Sequence, residues 1–126
     1  MKFVWLLPLC LDVLAAERML VVAGLGGEAE YEQRFQTLAR EAAKLAGGEA
    51  LTGPQVSRAA LKDGIARLGA GLGQEDTCTL VLIGHGTWDG EQYRFNVPGP
   101  DVTCEDLRGW LDPLACRQVV VRATSA

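Results

Sequence analysis

A chain of 126 residues with 48% hydrophobic and 22% charged positions is neither disordered nor fibrous, and it has room for one globular core. Its formal net charge is −4, and its lysines and arginines are scattered with no basic cluster, which argues against nucleic acid as a partner.

Residues 1–16 stand apart from the rest. Met1 and Lys2 give a short positive start, Phe3 to Leu14 is mostly apolar, and Val13-Leu14-Ala15-Ala16 offers small residues for cleavage. This is the layout of a secretory signal peptide, too short to span a membrane. Pro8 and Asp12 interrupt the apolar stretch, which leaves open a cytosolic N-terminal helix or strand. On the first reading residues 17–126 form the mature domain, secreted or periplasmic; on the second the chain stays in the cytoplasm. Cys10 lacks the preceding small residue of a lipoprotein cleavage site, so no stable membrane anchor is expected.

Met19 to Ala23 is an apolar strand candidate that runs into the turn Gly24-Leu25-Gly26-Gly27. A helix follows, with Glu28, Glu30 and Glu32 suiting its positive amino end. Tyr31, Phe35, Leu38, Ala39, Ala42 and Leu45 recur at helical spacing as its apolar stripe, and Gly47-Gly48 ends it. Glu49 to Leu51 reads as a brief strand. Thr52 and Gln55 can cap a second helix, whose stripe is Val56, Ala60, Leu61, Ile65 and Leu68.

Gly69 to Asp76 forms a loop before Thr79-Leu80-Val81-Leu82-Ile83, a buried parallel strand by composition. That strand delivers His85, the one histidine, to a glycine-flanked turn. The carboxyl ends of such strands are where ligands and chemistry gather, although a lone histidine there can equally be a loop residue with a hydrogen bond. Thr87 to Gly90 is a turn and Tyr93 to Val97 alternates, predicting a small hairpin. Pro98-Gly99-Pro100 breaks the chain. Thr103 with Asp106 opens a third helix that buries Leu107, Trp110, Leu111 and Leu114 and ends near Pro113. Gln118 to Arg122 is a final, valine-rich strand.

Strands alternating with helices predict an α/β domain, a three-layer αβα sandwich on a mostly parallel sheet. The chain stops after its fourth main strand, as a truncated domain would, and an edge strand left there invites self-association. No C-x-x-C pair accompanies the single histidine, so neither a metal nor a cofactor is expected. Cys78, Cys104 and Cys116 allow at most one disulfide in the mature chain, and Cys104 could in principle reach Cys116 across the third helix. Gly24 to Ala29 also fits the G-x-G-x-x-A form of a dinucleotide turn, an alternative weakened by the three glutamates beside it. Trp88 is either a peptide contact or a lid on the hairpin, whereas Trp110 belongs to the core.

Taken together, Leu82-Ile83-Gly84-His85-Gly86, Tyr93 to Asp101 and Val119 to Ser125 resemble the caspase-like cysteine peptidases, particularly a bacterial legumain-like branch. The resemblance runs from about Arg18 to Ala126. It implies a caspase-like fold and a peptide or protein ligand, with His85 as the catalytic histidine and Gly86 as the oxyanion glycine. An Ala-Cys pair is expected after the fourth strand, but Ala123 is followed by Thr124 and Ser125. Thr124 thus occupies the nucleophile position, where a hydroxyl is far harder to ionise than a thiol. The implied protein is a peptide-bond hydrolase by ancestry and a pseudoenzyme or truncated domain as written, or alternatively a peptide-interaction module. Glu28 and Glu30, near the substrate side-chain pocket of such enzymes, would favour basic peptides.

Overall fold

The computed structural model describes residues 14–123. Residues 1–13 of the expected signal segment, and Thr124, lie outside the described residues. Among those described, no helix is long and apolar enough to cross a membrane.

The main sheet is assembled from β1 (Glu17–Ala23), β2 (Glu49–Leu51), β3 (Thr77–Ile83) and β7 (Arg117–Ala123) in the order β2-β1-β3-β7, every pair parallel. Between β3 and β7 the chain adds a three-stranded antiparallel sheet of β4 (Gly86–Trp88), β5 (Tyr93–Phe95) and β6 (Val102–Thr103). The helices are α1 (Ala29–Ala46), α2 (Arg58–Gly69) and α3 (Cys104–Leu111). The expected hairpin is therefore the core of a small second sheet, with β6 pairing to β5 just ahead of α3.

Strand alternation sorts the side chains between two faces. Val21, Ala23 and Ile83 pack with Phe35, Ala39 and Ala43 of α1. Leu20, Val22, Cys78, Leu80 and Leu82 point the other way, into a larger core with Leu61, Ile65 and Leu68 of α2 and Leu107 and Leu111 of α3. Helices thus cover both faces, giving three layers. Each fully buried Leu, Ile or Val contributes about 1.5–3 kcal/mol relative to exposure, so the α2/α3 face carries most of the hydrophobic stabilisation.

The ends of the helices follow local chemistry. Gly47 takes the left-handed conformation that closes α1, and the Gly48 N–H donates to the Ala43 carbonyl at 2.7 Å. Thr103 and Asp106 form the expected capping box at α3. At α2 the cap is Ser57, whose Oγ accepts from the Ala60 N–H at 3.2 Å. Thr52 is displaced from that role because a turn at Gly53-Pro54, closed by Val56 N–H to Gly53 O, intervenes. Arg18 of β1 reaches the other end of α2 and donates to the Ala70 carbonyl at 2.6 Å.

The stripe read for α1 is too wide. Tyr31, Leu38 and Leu45 are exposed and only Phe35, Ala39 and Ala43 are buried, because α1 lies over β1 and β2 and turns only that side to the sheet. β7 is exposed along its whole length, with Val119, Val120 and Val121 44–46% accessible.

The difference between the two stripes is measurable by urea unfolding. Ile65→Ala should cost about 2–5 kcal/mol, the range for truncating a buried aliphatic side chain. Leu45→Ala should stay within about 0.5 kcal/mol, and a comparable loss there would mean that the carboxyl end of α1 is packed.

Candidate functional site

The site at the carboxyl end of β3 is built first by backbone. The Gly24 N–H donates to the Ile83 carbonyl at 2.8 Å, continuing the β1–β3 contact past the strands. A ring of three hydrogen bonds follows: His85 N–H to Leu25 O at 3.0 Å, Leu25 N–H to Asn96 O at 2.9 Å, and Asn96 N–H to His85 O at 3.1 Å. The ends of β1, β3 and β5 are thereby tied at one point. Glycine is required where they converge, since a Cβ on Gly24 would lie 2.6 Å from Asn96 O and from the Phe95 ring.

The His85 side chain emerges on the α1 face. Its ring meets Phe35 and Tyr31 edge-on, with centroids 5.8 and 6.5 Å apart, and its Nε2 lies 2.6 Å from the Gly26 carbonyl oxygen. A carbonyl only accepts, so in the neutral ring Nε2 carries the proton and Nδ1 the lone pair. The turn after β1 therefore sets both the orientation and the tautomer of the imidazole.

Gly86 opens β4 opposite Phe95. Because His85 O accepts from Asn96 N–H, the Gly86–Phe95 pair is of the non-hydrogen-bonded kind, and the Gly86 N–H is turned away from β5. The Tyr93 ring occupies the space that a Cβ on Gly86 would need, so a larger residue there would have to displace that ring. At the neighbouring strand end Ala123 pairs with Ile83, and its carbonyl accepts from the Gly84 N–H at 3.3 Å. His85, Gly86 and the residue before Thr124 are thus brought together; Thr124 itself lies outside the described residues.

Among the described residues, none of the thiols shares this end of the α1 face. Cys78 and Cys116 are buried beside each other at the amino end of the sheet, and Cys104 is exposed at the first turn of α3. Cys116 therefore approaches Cys78, not Cys104. Cys104 lines a groove of about 740 Å³ with Trp88, Tyr93, Arg108, Val120 and Arg122, on the face opposite His85. Trp88 is 66% exposed, so it does not pack as a lid; Trp110 packs against the core under Arg58. Among the described residues no cluster of three His, Cys, Asp or Glu side chains could hold a metal.

The glycine turn after β1 is engaged within the fold. The Gly24 and Leu25 N–H groups bond to Ile83 O and Asn96 O, and Glu28, the residue before α1, is exposed. The acceptor role of Gly26 escaped sequence reasoning, as a backbone carbonyl has no residue signature. The sequence matches no family model and no curated protein.

The hairpin beside the site is held by Asp89. Its carboxylate accepts from the Gln92 and Glu91 N–H groups at 2.8 and 2.9 Å and from Arg94 Nε at 2.7 Å. These bonds, the backbone ones first, lower its pKa from 3.8 to about 2. A lowered pKa means that the carboxylate supports the hairpin fully above pH 3.8 and that this support is lost as pH falls through about 2. Carboxyl carbon NMR should titrate Asp89 near 2, and Asp89→Asn should broaden the amide signals of Glu91 and Gln92 at neutral pH. A midpoint near the ordinary value would mean that the hairpin is not tied in this way.

Proposed function

We propose that this chain is a caspase-like, legumain-related peptidase-fold domain that keeps a histidine and an oxyanion donor but lacks the nucleophile, and that it binds peptide without cleaving it. The observation that carries the reading is the fixed pairing of His85, Nε2–H directed to Gly26 O, with a Gly86 N–H turned away from its hairpin partner. A base and a hydrogen-bond donor held beside the end of a neighbouring strand are two of the three parts of an acyl-transfer site. The third would be the residue after Ala123, and in this chain it is Thr124. A hydroxyl is far harder to ionise than a thiol, so His85 alone activates it poorly.

Peptide binding survives the loss of the nucleophile because the surrounding surface does not depend on it. Glu28 and Glu30 stand exposed at the start of α1, next to the turn that holds His85, and they favour a peptide with a basic side chain. Tyr31, half exposed and in contact with the imidazole, adds an apolar flank.

A substitution that supplies the missing part tests the reading directly. In a Cys104→Ser background, which removes the exposed thiol among the described residues, the protein should not react with a peptidyl acyloxymethyl ketone bearing Lys or Arg. Adding Thr124→Cys should make it label, and adding His85→Ala should abolish that labelling. Labelling without Thr124→Cys would overturn the claim of incompetence, and no labelling with it would overturn the caspase-like geometry. Glu28→Lys with Glu30→Lys should weaken binding of a basic peptide by about tenfold in calorimetry, equivalent to about 1.4 kcal/mol.

A further inference from the structure

At the opposite end of β3 from His85, two thiols meet in the core. Cys78 and Cys116 are 1% and 5% exposed, and their Sγ atoms lie 2.6 Å apart. The fold makes this encounter unavoidable. Cys78 points to the α2/α3 face with Leu80 and Leu82. The β3–β7 register begins with Thr77 beside Arg117, whose N–H donates to the Asp76 carbonyl at 2.8 Å. Cys116, one residue ahead of that anchored position, is turned under the sheet onto the same face, among the same core residues.

We propose that Cys78 and Cys116 form a disulfide bond that locks β7 to β3. A bond length of about 2.05 Å needs the sulfurs to close by roughly half an ångström. The partners lie 38 positions apart in sequence, and the loop they close contains His85, the hairpin and α3, so the cross-link fastens the base of the segment that carries His85 and Gly86. The bond does not depend on the peptidase reading.

The chemistry balances as thiol–disulfide exchange with a small-molecule disulfide such as oxidised glutathione. One cysteine thiolate attacks the disulfide and expels a glutathione thiolate, giving a mixed disulfide; the second cysteine thiolate then displaces the other glutathione. The two cysteines lose two protons and two electrons, and two molecules of reduced glutathione are released. Burial, with the neighbouring Cys116, pushes the Cys78 thiol up to about 12, so exchange in the folded protein is slow. The bond forms while the chain folds and afterwards resists reduction.

The test is refolding of the full chain from denaturant in a mixture of oxidised and reduced glutathione, followed by alkylation and tryptic digestion without reductant. Cys78, Cys104 and Cys116 fall in different tryptic peptides, because Arg94 and Arg108 separate them. The expected result is a Cys78–Cys116 linked peptide with Cys104 alkylated. In thermal melts the oxidised protein should exceed the reduced one by roughly 10 °C or more, a difference that Cys116→Ala abolishes. Recovery of Cys78 and Cys116 as alkylated thiols, or linkage of Cys116 to Cys104, would overturn the proposal.

Discussion

Three backbone hydrogen bonds in a ring, among Leu25, His85 and Asn96, hold the carboxyl ends of β1, β3 and β5 together. Each joins a different pair of segments: β1 to β3, β1 to β5 and β5 to β3. The hairpin strands β4 and β5 are three residues long, too short to be stable alone, and the ring is what fixes them to the parallel sheet. Asn96 adds a side-chain contact to Thr87 across the hairpin. With its backbone held at both N–H and carbonyl and its ring held at Nε2, His85 has little freedom left. A preorganised imidazole is a property of the strand junction before it is a property of any chemistry.

The same strand, β3, carries a reactive group at each end and on opposite faces. Cys78 faces α2 and α3, whereas His85, seven positions on, faces α1. Odd spacing along an extended chain is what separates them. The sheet between them is dry, lined by Leu20, Leu80 and Leu82 on one side and Val21 and Ile83 on the other. β7 is the element that both ends have in common: it begins at Arg117, directly after Cys116, and ends beside His85. Its exposed valines are only weakly held by packing, so its position is set by the β3 ladder and by whatever fastens its amino end.

Where a residue acts through its own side chain and near neighbours, the sequence was readable. The apolar run ending at Ile83, the glycine stop after Ala46, and Thr103 with Asp106 all carry local signatures, and each forms the expected element. The α1 stripe misled because periodicity reports which residues could be buried, not which of them the sheet meets; Leu45 is 90% exposed. Ser57 replaced Thr52 as a cap because the Gly53-Pro54 turn moved the helix start. The Gly26 carbonyl had no signal at all. The meeting of Cys78 and Cys116 had one that went unused: both cysteines stand at the amino ends of strand candidates, and two parallel neighbours bring such positions together.

His85 and Gly86 carry the resemblance to a peptidase, yet each also has a structural reason to be what it is. A Cβ at position 86 would collide with the Tyr93 ring, so glycine there lets the ring keep its place whether or not an oxyanion ever binds. The His85 ring ties the turn after β1 to the end of β3 through Gly26 O and fills the gap beside Phe35 and Tyr31. A chain that had abandoned hydrolysis would keep both residues to keep its fold. Their presence therefore says little about turnover, and the weight of that question rests on the residue after Ala123, which is a threonine and not a cysteine.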